Sequence, residues 1–211
     1  RFRVAPAHVR SIYFTMNVKN AYQLLYRTTD SVGKPSYAAS ILLEPYNANN
    51  SRILQYSVAE DSSSVDCSVS YALIKGASMS PIITQAEVAL MQLGLNEGWW
   101  LHSSDYEGPD AAFTAGRMAA HANLDSIRAV LASGNKANIL PNADVVLWGY
   151  SGGAFASGWT ASLQPSYAPE LAKNLIGCAF GGVPANWTTL YAVVDGTLYN
   201  GLTVSGLYGL G

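Results

Sequence analysis

The sequence predicts an α/β fold, a mostly parallel sheet with helices on both faces, and three observations carry that prediction. Hairpin-like strands come first and are followed by strand, helix, strand, helix, the order of such a sheet. Hydrophobic residues make up 49% of the 211 positions and charged residues 12%, enough apolar surface for the core of one domain and too little charge for a disordered or coiled-coil chain. A glycine-flanked serine, Gly149-Tyr150-Ser151-Gly152-Gly153, stands between an apolar strand and a helical stretch.

Taken in order, Asn20 to Thr29 and Tyr37 to Leu43 form two strands, and the Gly33 and Pro35 of the segment between them favour a turn. Arg52 to Val58 is a third strand, followed by a polar loop from Glu60 to Ser64. Pro81 to Leu95 has helical apolar spacing with proline at its first turn. Trp99 to Ser103 is the fourth strand, Ala111 to Ala132 a helix, and Val145 to Trp148 a strand running into Gly149. Ala154 to Leu163 is the next helix. Leu175 to Phe180 completes the pattern as a further buried strand ended by Gly181-Gly182.

Composition excludes several functions. With 12 Lys+Arg against 14 Asp+Glu, nothing would neutralise a phosphate backbone, so no nucleic-acid partner is expected. The apolar stretch from Val88 to Leu95 is broken by Gln92 and Gly94, far short of the roughly 20 residues that cross a bilayer. The first residue is Arg1, so any signal peptide is expected to have been removed. Cys67 and Cys178 are too few and too far apart for a stapled miniprotein or a zinc site, and Cys178, in an apolar run, is expected to be a small buried hydrophobe; no metal and no cofactor are expected. Two sequons, Asn49-Asn50-Ser51 in a polar loop and Asn186-Trp187-Thr188 after a turn, offer exposed glycosylation sites.

The pentapeptide matches G-x-S-x-G. The strand before it and the helix after it are the setting of a nucleophile elbow, in which Gly149 and Gly153 give room where strand and helix approach and Tyr150 precedes the serine. The bland alternative is an ordinary strand-to-helix turn. A serine nucleophile needs a histidine held by an acid. His8, His102 and His121 all precede Ser151, whereas the elbow's partners follow it, so these histidines are better read as packed or surface residues. Glu170 and Asp195 lie downstream, but no histidine follows them and neither is assigned.

Six spaced blocks together resemble the fungal secretory lipase family: Tyr26-Arg27-Thr28-Thr29-Asp30, Glu60-Asp61 with Asp66-Cys67 and Ser70-Tyr71, Ser103-Ser104-Asp105-x-Glu107-Gly108, Leu124-Asp125-x-Ile127-Arg128-Ala129, Gly149 to Ala154, and Ser166-Tyr167-Ala168-Pro169-Glu170-Leu171. The resemblance covers about residues 20 to 183. It implies an α/β-hydrolase core over 1–183, the start of a helical cap or lid over 184–211, a secreted enzyme, Ser151 as nucleophile, and an oxyanion hole from the backbone N–H groups of Gly152 and Asp61. Taken alone, Asp61 is read as a capping or solvated loop carboxylate. The resemblance also implies that Ser103 to Gly108 hold a loop near the site and that Cys67 pairs with a cysteine beyond this chain.

In that family the acid and histidine lie well downstream of Ser151, in sequence this chain does not contain. The domain is therefore expected to be incomplete: a proteolytic piece whose other half stays associated as a second chain, a segment of a longer polypeptide, or a truncated product. The implied activity is a lipase or esterase acting through an acyl-enzyme on a lipid or small ester, with transient contact to a lipid interface. A deacetylase of small acetylated metabolites and a non-catalytic hydrolase-fold fragment are the alternatives.

Overall fold

The computed structural model describes residues 2–77 and 81–210; Arg1, Ser78–Ser80 and Gly211 lie outside the described residues, and with them the outermost positions of the two expected segments. Seven strands form one sheet: β1 (Phe2–Ala7), β2 (Asn20–Thr29), β3 (Pro35–Glu44), β4 (Asn49–Ser57), β5 (Trp99–Ser104), β6 (Asp144–Tyr150) and β7 (Leu175–Gly181). Their order is β1-β2-β3-β5-β4-β6-β7. The pairs β1/β2, β2/β3 and β3/β5 are antiparallel, and β4/β5, β4/β6 and β6/β7 are parallel, so only β1 and β3 run against the rest.

The helices are α1 (Val69–Ala72), α2 (Ile82–Asn96), α3 (Gly116–Leu131), α4 (Gly134–Ala137), α5 (Gly152–Tyr167), α6 (Trp187–Val194) and α7 (Gly201–Leu210). Alternation along the central strands divides the core. Ile53, Trp100, Val145 and Leu147 pack with Ala122, Ile127 and Ala156 of α3 and α5. Leu54, Tyr56 and Leu101 pack on the other face with Val69, Val88, Met91 and Leu95 of α1 and α2. The expected layering of helices on both faces is present. Among the described residues no helix is long and apolar enough to cross a membrane.

Four sequence expectations need correction. The helix expected from Ala111 starts only at Gly116, because Ala111 and Thr114 have φ of 47° and 72°, which a right-handed helix does not admit. Asn49 is the first residue of β4, not part of a loop: its N–H donates to the Gly98 carbonyl at 2.7 Å, although its side chain stays exposed. The strand β7 is not buried. It forms the edge of the sheet beside β6, and Ile176 and Phe180 are 61% and 42% exposed. For the same reason Cys178 is an exposed free thiol and not a packed hydrophobe.

The two faces meet the sheet through different chemistry. Under α3 and α5 lies a buried polar network centred on Asn123, which accepts from Gln55 Nε2 at 3.1 Å and from the Ser104 hydroxyl, and donates to Thr160 Oγ1 at 2.9 Å and Ser57 Oγ at 3.3 Å. It ties β4 and β5 to both helices. An Asn123→Ala substitution would leave four buried polar partners short of a bond, so a loss of about 3 kcal/mol or more is expected. Thermal unfolding should show a midpoint lower by roughly 6–12 °C; an unchanged midpoint would show that the network contributes nothing net.

Two of the sequence blocks dock on one another at the far side of α3. Arg128 donates to Asp125 at 2.7 Å, to Glu170 at 2.6 Å and to the Tyr167 carbonyl at 2.9 Å, with its guanidinium 5.2 Å from the Tyr167 ring centre. The Tyr167 hydroxyl reaches Asp125 at 2.7 Å and Thr29 Oγ1 at 3.0 Å, bringing in a third block. This junction fixes α5, and with it the start of α5, against α3 and β2.

Candidate active site

Ser151 stands where β6 gives way to α5, with φ 52° and ψ −121°. A non-glycine residue pays roughly 1–3 kcal/mol for such a conformation and keeps it only where neighbours impose it. Here its N–H donates to the Gly181 carbonyl at 3.1 Å and its own carbonyl accepts from Phe155 N at 3.0 Å, the first bond of α5. β6 is paired on both sides, to β4 up to Ser57↔Gly149 and to β7 up to Tyr150↔Gly181, so the turn is anchored in the sheet. Gly153 allows the closest approach. A Cβ there would overlap the Ser57 carbonyl oxygen, and one on Gly149 would overlap the Gly153 carbonyl oxygen. Tyr150 is exposed, its ring lying over Gly181 and Gly182.

The loop after β4 brings Asp61 to this turn. Asp61 also has a positive φ, 46°, and its Oδ1 occupies the space that a Cβ on Gly152 would take. Asp61, remote in sequence, therefore lies beside the consecutive residues Ser151 and Gly152. The Asp61 Oδ1 is buried without a hydrogen-bond partner, and burial pushes its carboxyl up to about 6. Two groups that the sequence did not single out hold the start of this loop. Glu87 of α2 accepts from the Tyr56 hydroxyl at 2.9 Å and from Ala59 N at 3.3 Å, and burial first of all raises it to about 7. The Tyr106 hydroxyl donates to the Val58 carbonyl at 2.7 Å and accepts from Glu60 N at 3.4 Å. The signal for Glu87 was a lone acid at a buried position of an apolar helix; Tyr106 was the unspecified residue of its block.

The histidines are occupied elsewhere. His102 is buried in β5, opposite Leu42 and Gln55, with neither ring nitrogen bonded and its ring held neutral by burial, down to about 3. His121 lies in α3, stacked 4.1 Å from the Tyr167 ring, its Nδ1–H donating to the Thr29 carbonyl at 3.1 Å. His8 is exposed beside β1. Among the described residues no histidine ring is bonded to Ser151. Glu170 is paired with Arg128, and Asp195 ends α6.

A sheet covered on both faces, with a serine at a tight strand-to-helix turn and an earlier loop folded against the next residue, defines an α/β-hydrolase domain. The chain belongs to the secretory lipase family, whose description matches residues 73–211. It is 47% identical over 210 residues to Lipase 1 of Candida albicans, covering 100% of this chain and 45% of that protein. It is 45% identical over 213 residues to Lipase A of Arthroderma benhamiae, covering 99% of this chain and 43% of that protein. Among solved structures, the X-ray structure of Candida antarctica lipase A superposes with a TM-score of 0.85 at 32% identity, covering 99% of this chain and 47% of that one. The chain thus spans a little under half the length of the curated relatives it matches. The family resemblance carried by the six blocks is borne out.

Proposed function

We propose that this chain is the nucleophile-bearing part of a secreted serine carboxylic-ester hydrolase, a lipase or esterase, and that residues 1–183 are its core and 184–211 the start of a cap. The observation that carries the proposal is the meeting of Ser151, Gly152 and Asp61 at one turn. Ser151 Oγ attacks the ester carbonyl and passes its proton to a histidine supplied by sequence outside this chain. The carbonyl oxygen, now an oxyanion, lies between the N–H groups of Gly152 and Asp61, which is worth about 3–4 kcal/mol per donor in related chemistry. Collapse releases the alcohol and leaves an acyl-serine; water then releases the acid and restores the hydroxyl. The uncovered β7 edge and the exposed Leu198, Tyr199 and Leu207 of the 184–211 segment favour a cap that continues beyond it and meets an apolar substrate.

The test is hydrolysis of p-nitrophenyl esters by the protein from the complete reading frame, compared with residues 1–211 alone. The complete protein should turn over with an initial burst of p-nitrophenol from acyl-enzyme formation, and the chain alone should not, because no base is positioned beside Ser151. Full turnover by residues 1–211 would show that one of its own histidines is the base. Hydrolysis of acetylated small metabolites in preference to fatty esters would favour the deacetylase reading.

In a secreted protein the sequons at Asn49 and Asn186 are open to N-glycosylation. Asn186 is exposed and caps α6, its Oδ1 accepting from Thr189 N at 3.0 Å, so a sugar on Nδ2 leaves the cap in place. Protein made in yeast should lose mass on endoglycosidase treatment, with the site mapping to Asn186 or Asn49; an intact mass equal to the bare polypeptide would contradict this.

A further inference from the structure

Three buried carboxyl groups outside the reacting trio fasten the loop that carries Asp61. Glu60 Oε1 accepts from Val69 N at 3.1 Å. Asp105 accepts twice from Ser70, N–H to Oδ1 at 2.8 Å and hydroxyl to Oδ2 at 2.5 Å. Glu107 accepts from the Ser62 backbone, and its Oε1 is buried with no partner. Glu60, Asp105 and Glu107 are only 7%, 7% and 4% exposed. The loop is therefore held at its start, middle and end by acids from two segments.

Among the described residues no cation neutralises them. The groups that act on the three are Asp61 and Cys67 of the same loop, while Tyr106 and, from β2, Tyr26 lie in the field of these acids, and Glu87 of α2 faces Asp61. All are acidic or neutral, and among the described residues no ion pair involves any of the three carboxyls. No group of three or more His, Cys, Asp or Glu among the described residues is arranged to hold a metal ion. Three like charges in a buried space without a counter-ion repel strongly, so protons must make up the balance. The donor count says where they sit. Among the described residues Asp105 has a donor on each oxygen and suits the charged form, whereas Glu60 and Glu107 each have one backbone donor, from Val69 and Ser62, and suit the protonated one. Burial and neighbouring acids hold Glu60 and Glu107 well above the usual carboxylate range; burial raises Asp105 to about 6 against the pull of the Ser70 bonds. Asp105 also lines a cavity of about 300 Å³ with Leu25, Tyr37, Ser68 and Tyr71.

We infer that Glu60, Asp105 and Glu107 are positioning residues that form a proton-dependent clamp on the oxyanion loop: protonated, the cluster holds Asp61 against Gly152, and full ionisation loosens the loop and withdraws its donor from the reacting carbonyl. This rests on the hydrolase reading above. The sign follows from linkage. A carboxyl held above its unfolded value binds more protons folded than unfolded, so its penalty is absent below about pH 4, grows as pH rises toward the folded value, about 6 for Asp105, and is complete above it; Glu60 and Glu107 are shifted in the same direction. Because an oxyanion donor acts mainly in the transition state, loosening should lower kcat and leave KM nearly unchanged.

The test uses protein from the complete reading frame and the variant Glu107→Gln, which keeps an oxygen for the Ser62 N–H but cannot ionise. The pH at which kcat falls on the alkaline side should move up by at least one unit in the variant, with KM within about twofold, and the drop in Tm between pH 5 and pH 8 should shrink by half or more. Superimposable kcat and Tm profiles would overturn the clamp. If Glu107→Gln does not accumulate folded, the wild type decides, since a Tm that does not fall between pH 5 and pH 8 is equally fatal to it. Fluorophosphonate labelling of wild-type Ser151 at pH 5 reports on the hydrolase reading by itself, so the two failures are distinguishable.

Discussion

Replacing Ser151 by alanine is expected to lower ester turnover by about 10⁴-fold or more while leaving the unfolding free energy within about 0.5 kcal/mol of wild type. The first figure follows from the proposed role of the hydroxyl, which forms the acyl bond. The second follows from its position: the Ser151 side chain makes no capping hydrogen bond to α5, so its loss removes none, and alanine carries the same Cβ into the same φ of 52°. Ser151→Gly separates the two effects further. It should be just as inactive yet more stable by roughly 0.5–1 kcal/mol, because glycine bears no penalty at that φ. Activity assays and denaturant unfolding on the three proteins check both halves, and retained turnover in either variant would remove Ser151 from the mechanism.

Gly153→Ala is expected to be the most damaging small substitution in the chain, costing about 3–5 kcal/mol and abolishing turnover. Its methyl would overlap the Ser57 carbonyl oxygen at the end of β4. That oxygen belongs to the central strand, paired to β5 on one side and β6 on the other, so it cannot step aside without shifting the sheet. Gly152→Ala offers the contrast. Its methyl meets the Asp61 side chain, which can rotate away, so turnover should fall while the fold survives. The comparison is made by circular dichroism melts and the ester assay; a Gly153→Ala protein with a normal melt would mean that strand and helix are not as close as the turn demands.

What the sequence made legible was local. Strands β2 to β6 and helix α2 follow from apolar pattern and turn residues, and the serine turn follows from a strand, a pentapeptide and a helix in succession. The missed element β1 is six residues containing Pro6, too short and too broken for its pattern to stand out. The exposure of β7 is not legible, because an apolar strand looks the same whether or not a neighbour covers it. Helix α3 was extended too far because alanine-rich spacing conceals the positive φ at Ala111 and Thr114. The site divides in the same way. Asp61 could be placed beside Gly152 only by resemblance, since the contact joins the ends of two strands remote in sequence. The blocks of the resemblance acquire meaning in space: three of them meet at Arg128 and Tyr167 to fix α5, and two others meet at Asp105 and Glu107 to fasten the loop that carries Asp61.

The central claim, that Ser151 is the nucleophile of an ester hydrolase, is tested most directly by treating the protein from the complete reading frame with a fluorophosphonate ester and mapping the adduct by peptide mass spectrometry. One equivalent of label is expected, confined to the peptide containing Ser151, with activity lost in proportion. Label on a different serine, or complete inactivation with the Ser151 peptide unmodified, would contradict it.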